Sequence, residues 1–424
     1  MIRFLLKGLR RDRSRSLFPF LTVTLGVMLT VFLYCYIKGM ATNFIDSTAR
    51  FSSGHVKVMT RSYAAEADQF PNDLAYLGIK SLLADLRQQF AALIWTPRIR
   101  FAGLLDVPDA SGETRSQGPI FGMAIDLFSP QTAEHSILDL KRALVVGRLP
   151  EKPGEALASY DLAQAMRIQP GDTATLISST MYGSLAVANF RLSGFIRFGI
   201  TSLDRGALVV DIRDIQEALD MEDGAGEILG FYRDFIYREK EAQNLAESFN
   251  SRYGGRNDEF APVMVTLKMQ SGLADLLRMI NVFSSALVLI FVVAMAIVLW
   301  NAGLMGSLRR YGEIGVRLAM GEDKGHLYLS LLAESLALGL FGSLAGTTIG
   351  LAVSYYLQSH GTDISSLMKS SSLLMVEVLR TRVTPVSFVI GFVPGVGASL
   401  LGTAISGLSV YRRQTSNLIK ELEA

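Results

Sequence analysis

Few side chains in this sequence could do chemistry, and most of them are concentrated in one place. Between two long apolar stretches lies Ser307–His326, SLRRYGEIGVRLAMGEDKGH. On a helix beginning near Leu308, Arg309, Glu313 and Arg317 recur one turn apart. Glu313 before Arg317 is the favoured order for an ion pair, worth roughly 0.2–0.5 kcal/mol. Tyr311, Ile314, Gly315 and Leu318 form an apolar side. Gly312 and Gly315 each weaken the helix by about 1 kcal/mol relative to alanine, a cost that makes sense where another surface approaches very closely. Gly321 is placed to end the helix, with Glu322 and Asp323 in the turn. With Arg310 and Met320, these residues describe a two-faced docking helix over 307–325, built for contact and without a reactive constellation.

Glu334 is the one carboxylate inside an apolar span, where charge is expensive and usually functional. An ion pair with Arg317 accounts for it. Proton relay is the rival reading, but it calls for further carboxylates at depth, and the apolar runs have none. The histidines, His55, His135, His326 and His360, are scattered and form no HExxH pair. Cys35 is the single cysteine, so no intrachain disulfide can form and a cysteine zinc site is excluded. No metal site or catalytic residue is expected. The net charge of +2 makes no case for a nucleic-acid partner.

The elements that must position these residues are membrane helices. Half of the 424 residues are hydrophobic and mean hydropathy is +0.31, a mixture that implies a few spans plus a water-facing domain. A bilayer core takes about 20 apolar helical residues. Leu17–Ile37, Met279–Leu308, Leu327–Leu357 and Val386–Tyr411 meet that length. The first reads as a retained anchor rather than a signal peptide, because it is too long and runs into Tyr34, Tyr36 and Lys38. Residues 1–16 read as a basic amphipathic helix with Ile2, Leu5, Leu6 and Leu9 on one side. Arginine and lysine before the first span, in the 307–325 loop and in the tail place all three in the cytoplasm.

Residues 17–50 then form the first span and a stalk, and 51–265 an extracytoplasmic α+β domain inserted between the first and second spans. Strands are expected at HVKVM from His55, IRFAGLL from Ile99, ALVVG from Ala143, TATLIS from Thr173, ANFRLSGFI from Ala188, ALVVD from Ala207 and PVMVTLK from Pro262. Helices are expected at Leu74–Phe90, Asp161–Met166, Ile212–Met221 and Glu239–Tyr253. The Ser, Asp and Glu residues of this domain read as solvated surface. In the later spans, Gly342, Gly346 and Gly350, with Gly391 and Gly395, allow close helix packing between the third and fourth spans or against another subunit.

RRYGEIGVRLAMGEDKGHLYLSLLAESLALGLFGSLAGTTIG resembles the core signature of FtsX-like ABC-transporter permeases. That family has an R-x-x-E-I-G-x-x-[RK]-A-[LM]-G stretch before a span with an E-[SG] pair and a G-x-x-x-G tail. Arg310, Glu313, Ile314, Gly315, Ala319, Met320, Gly321, Glu334, Ser335, Gly342 and Gly346 stand in those places, with Arg317 one or two positions from the usual basic residue. The inserted segment is similar to the periplasmic core domain of macrolide-exporter and lipoprotein-releasing permeases. The similarity runs through GHVKVMTRSY from Gly54, RLPEKPGEALASYDLAQAMRIQPGDTATL from Arg148 and FRLSGFIRFGITSLDRGALVVDI from Phe190.

The resemblance implies a type VII ABC transporter permease in the bacterial inner membrane, with residues 266–424 a stalk and FtsX-like domain. The 307–325 loop would be the coupling helix that contacts an ATPase subunit. The sequence has no G-x-x-x-x-G-K-[ST] motif, so ATP and Mg are expected on that partner chain, with no cofactor and no catalysis here. A second permease subunit, membrane lipids and a periplasmic carrier or adaptor complete the implied partners. A lipid-anchored cargo would sit between the first two spans, against Leu25, Met28, Phe32, Val282, Phe283 and Leu287. An efflux permease with an adaptor, a transmembrane regulator of a cell-wall hydrolase and a membrane-anchored enzyme are the alternatives.

Overall fold

Each of the four apolar runs becomes a long helix. The computed structural model describes residues 13–109, 111–253, 258–270, 272–309, 316–317, 320–363 and 378–412. The amphipathic helix expected at the start lies outside them up to residue 12. The four helices are Arg13–Thr48, Leu273–Arg309, Lys324–His360 and Phe392–Arg412. Four stretches, Leu17–Ser53, Leu273–Asn301, Lys324–His360 and Pro385–Gly407, are long and apolar enough to cross a membrane. A 37-residue helix such as Leu273–Arg309 measures about 55 Å, against roughly 30 Å of hydrocarbon. The first three helices therefore have length to spare beyond a bilayer. The last begins later than its apolar run. Pro385 sets a 3₁₀ turn, Pro385–Phe388, under a capping box of Thr384 and Ser387, and the α-helix starts at Phe392.

Contacts divide the described residues into two units, one drawn from 1–42, 277–362 and 379–424, the other from 43–276 and 363–378. The 43–276 part of the second holds the large α+β domain inserted between the first two helices. Its main sheet has ten strands: β1 Val56–Thr60, β2 Leu93–Pro108, β3 Thr114–Ile125, β4 Leu144–Gly147, β5 Glu155–Ser159, β6 Thr173–Ser179, β7 Leu185–Ile196, β8 Ala207–Asp211, β9 Glu227–Tyr232 and β10 Pro262–Thr266. The order is β10-β1-β9-β2-β3-β8-β5-β7-β4, and β6 pairs with both β2 and β7. The path β2-β3-β8-β5-β7-β6 thus returns to β2, which removes open edges from that part of the sheet. Pairings are antiparallel except β3 with β8 and β5 with β7.

Two apolar clusters flank this sheet, and single strands feed both. In β8, Leu208 and Val210 join one cluster and Val209 the other. That is why ALVVD reads as a continuous apolar run rather than an alternation. The helix expected at Leu74–Phe90 is shorter, Ile79–Gln89, because Gly78 in left-handed backbone (φ +80°) stops it from extending backwards. A 3₁₀ turn, Asn72–Leu74, and a two-residue strand, Tyr76–Leu77, take the preceding residues.

The chain enters and leaves the sheet at neighbouring positions. The first apolar helix runs into a wide π-helical turn, Ala49–Ser53, in which Gly54 N–H donates to Ala49 O at 2.8 Å. It then becomes β1. The strand before the second helix is β10, and Val56 of β1 lies opposite Thr266 of β10. Both connections to the membrane helices therefore meet the sheet at the same end of one strand pair. His55 ties them together: its carbonyl accepts from Leu267 N–H at 3.1 Å.

Candidate functional site

Of the expected docking helix, Arg310, Tyr311, Gly312, Glu313, Ile314 and Gly315 lie outside the described residues. Arg309 ends the second apolar helix. The far end of the segment is defined. Gly321 has φ +90°, Glu322 N–H donates to Arg317 O at 3.1 Å, and Met320 N–H donates to Val316 O at 3.0 Å. This is a left-handed glycine stop, with the amide after the glycine reaching back to a carbonyl one turn earlier. Asp323 then caps the third apolar helix, accepting from Gly325 N–H at 2.9 Å. One helix stops and the next starts within a few residues. Val316 and Met320, four apart, are both exposed, and Arg317 between them is exposed too. A short apolar face beside a cation is therefore displayed on the connector.

The glycines seat the membrane helices. A side chain at Gly342 would meet Val23. At Gly346 a Cβ would lie 2.5 Å from Thr24 O and 2.8 Å from Val27 Cβ, and at Gly350 2.9 Å from Met28 O. These three glycines of the third helix accept the first helix, which corrects the expectation that they serve packing against the fourth span or another subunit. Gly391 faces Thr347 and Val27, and Gly395 faces Ser343 and Val27, so the fourth helix closes on both. Ser343 and Thr347 are buried in this seam. The small residues let backbones approach where no hydrophobic drive separates lipid from protein.

The six cargo-cavity candidates are placed differently. The packed face of the first helix is Val23, Val27, Val31 and Cys35, spaced by one turn, and it meets Met295 and Leu299 of the second helix. Leu25, Val282 and Phe283 are exposed, and Met28, Phe32 and Leu287 are half-buried. None of the six belongs to that cluster, and Leu25, Val282 and Phe283 face outward. Glu334 is half-buried near the start of the third helix.

The inserted domain holds charges that no local pattern announced. Arg98 and Glu134 are both fully buried. Arg98 Nε and Nη2 donate to the two carboxylate oxygens of Glu134, each at 2.8 Å, and Thr96 Oγ1 donates to Glu134 Oε1 at 2.8 Å. Lys57 Nζ donates to Glu227 Oε1 at 2.7 Å, also buried, with Arg100 Nε 3.5 Å from Glu227 Oε2. Burial raises the Glu227 carboxyl, and Lys57 and Arg100 outweigh it, leaving it below the usual range. Beside Lys57, Arg100 and Glu227 is a pocket of about 220 Å³, walled by Met59, Phe70 and Met269. The carboxylates Glu134, Glu155 and Glu227 are buried, which corrects the expectation of a solvated acidic surface at those positions. Each meets a cation from a distant part of the chain or from across a loop.

His55 adds a pH dependence. Its Nδ1 accepts from Tyr232 N–H at 2.9 Å, and burial holds the imidazole at about 4 against its usual 6.5. The unfolded chain takes up a proton between those values that the folded chain refuses. The stabilising contribution is complete above pH 6.5 and is lost as pH falls towards 4, by up to about 3 kcal/mol. A His55→Asn variant should show a flatter stability profile than the parent across this window in thermal melts. Parallel profiles would remove His55 from the account.

The FtsX-like permease C-terminal family matches residues 285–415. The lipoprotein-releasing system transmembrane protein LolC of Xylella fastidiosa (strain 9a5c) is 23% identical over 235 residues, 53% of this chain and 54% of that protein. The uncharacterized ABC transporter permease MJ1507 of Methanocaldococcus jannaschii is 20% identical over 224 residues, 53% of this chain and 55% of that protein. The aligned region thus spans about half the length of the relatives it matches. The periplasmic region of MacB from Actinobacillus actinomycetemcomitans superimposes with a TM-score of 0.35 at 14% identity, covering 55% of this chain and 92% of that one. Residues 285–415, which hold most of the second apolar helix, the loop and the last two helices, are an FtsX-like permease domain, in a chain homologous to LolC and to an ABC transporter permease.

Proposed function

We propose that the chain is the permease subunit of an ABC transporter of the FtsX, LolC and MacB kind. It would pass work from a separate ATPase, which binds ATP and Mg, to the inserted domain on the far side of a cytoplasmic membrane. The observation that carries this reading is the connector between the second and third helices. A left-handed stop at Gly321 turns the chain sharply and leaves Val316, Arg317 and Met320 exposed. Exposed apolar residues beside a cation, at a membrane surface and within the matched domain, suit a protein partner. Arg309, Arg310, Tyr311, Gly312, Glu313, Ile314 and Gly315 complete the docking segment in this reading. The positive charge of the loop supports a cytoplasmic loop, with the inserted domain on the far side.

The likeness to LolC supports lipoprotein or lipid release as the output, with a second permease chain and a periplasmic carrier as further partners. Glu313→Lys is expected to abolish co-purification of the ATPase while leaving the permease folded and inserted. Met320→Asp is expected to weaken it about tenfold or more, as loss of a central apolar contact does. ATPase binding and stimulated turnover unchanged in both variants would overturn this docking site. Mass spectrometry of the purified complex decides the output. Acylated protein co-eluting supports release, a periplasmic adaptor alone supports efflux, and a cell-wall hydrolase supports regulation.

A further inference from the structure

The buried charges of the inserted domain lie directly against the turn that ends the first apolar helix. The last carbonyls of a helix lack partners within it. Here Arg98 Nη1 donates to Arg50 O at 2.7 Å, and Arg100 Nη2 donates to Phe51 O at 2.5 Å. Both carbonyls belong to the π-helical turn Ala49–Ser53. Arg98 and Arg100 lie two apart on β2 and so point to one face of the sheet. Each is fixed from behind, Arg98 by the fork to Glu134 and Arg100 by Glu227, which Lys57 of β1 also holds. Phe51 adds an edge-to-face contact with Phe198, ring centroids 4.9 Å apart. A helix end, a central strand and two carboxylates are thus joined in a largely buried knot.

The second connection is built differently. After β10 the chain passes through a 3₁₀ turn, Leu267–Met269, to Gly272 in left-handed backbone, where the space around its α-carbon is open. A charged contact on this connection, Lys268 with Glu239, is at the surface, with side chains 37% and 48% exposed. Surface pairs of this kind contribute little, whereas breaking a buried, bidentate pair is costly.

We propose that Arg98 and Arg100 are positioning residues that lock the end of the first apolar helix to the central strand β2, so that the first helix drives the inserted domain and the second follows. This rests on the permease reading for its source of motion, but the lock stands on the geometry alone. A rigid joint transmits displacement, while a turn with an open glycine and a surface ion pair absorbs it.

The test uses the full-length chain carrying Arg98→Met with Glu134→Leu, which removes the fork without stranding a buried charge. Hydrogen exchange should be at least about tenfold faster for the amides of residues 49–54, with β8 unchanged. In the complex with its ATPase, spin labels at Tyr182→Cys and Tyr355→Cys, on a Cys35→Ser background, should show an ATP-driven distance change. The double variant should lose that change while still hydrolysing ATP, and Lys268→Gln should keep it. Unchanged exchange across 49–54 overturns the lock. Faster exchange with the distance change intact overturns its role in transmission, and loss of the change in Lys268→Gln overturns the asymmetry. If the parent complex shows no ATP-driven change, the permease reading fails and the drive with it, while the exchange result still decides the lock.

Discussion

Arg98→Ala is expected to destabilise the inserted domain by about 3–5 kcal/mol, the usual cost of breaking a buried ion pair from one side. Glu134 would be left with Thr96 as its donor, in a site where both side chains of the pair are fully buried. The Arg50 carbonyl would lose its partner at the same time. So would the Phe231 ring, over which the guanidinium sits at 5.9 Å. In a domain of this size the change amounts to a fall in melting temperature on the order of 10 °C. The chain has two tryptophans, and Trp95 is buried in the domain core. A Trp300→Phe background therefore makes Trp95 fluorescence a reporter of this domain alone. The matched pair Arg98→Met with Glu134→Leu should be far less destabilised than Arg98→Ala, because no charge is stranded. A melting point for Arg98→Ala within a degree or two of the parent would mean that the knot contributes nothing to the fold.

Gly346→Leu should severely damage the packing of the membrane unit. The obstacle at that position is the backbone carbonyl of Thr24, 2.5 Å from where a Cβ would stand, with Val27 Cβ at 2.8 Å. A side-chain obstacle could rotate away; a helix backbone cannot, so the first and third helices must separate. Overpacking in a closed core costs about 1–3 kcal/mol, and a helix displacement reaching Val23, Val27 and Val31 together places this change at the upper end or beyond. Gly397→Leu is the control, because no atom lies within 4 Å of a Cβ there. Melting in detergent followed by size-exclusion chromatography should show Gly346→Leu unfolding or aggregating at a markedly lower temperature and Gly397→Leu close to the parent. Equal behaviour of the two would mean that the seam does not hold the helices together.

The sequence carried the membrane helices and much of the domain, for physical reasons that also explain the gaps. Charge-free apolar length is a local property, so four spans were legible. The helix Glu239–Tyr253 appears at the expected bounds because its apolar stripe follows the helical period. Strand β3 was missed because Gly118, Pro119 and Gly122 break the pattern of TRSQGPIFGMAI. In the sheet, Phe101 lies across Gly122 directly opposite it, and a cross-strand ring replaces the missing side chain. Gly230 in β9 is covered by Trp95 in the same way. Strand β5, EALAS, is made of good helix formers. It is a strand because it lies between β7 and β8, where tertiary pairing overrides propensity.

The candidate site was legible in part. The Gly321 stop and the close-packing glycines follow from backbone requirements that a sequence displays directly. The Arg98–Glu134 and Lys57–Glu227 pairs do not, since each joins residues far apart in the chain. RIRF and HVKVM look like ordinary strands with charges turned to water. Only the fold reveals that those charges meet one another. The outward placement of Leu25, Val282 and Phe283 has the same origin: periodicity identifies the faces of a helix but not which face finds a partner.

The most direct test of the central claim is to purify the full-length chain from native membranes in a gentle detergent and identify what co-elutes. The permease reading predicts an ABC ATPase in stable complex, with ATP hydrolysis by that partner and loss of the complex on Glu313→Lys. Isolation of the chain without any ATPase, at every salt concentration, would contradict it.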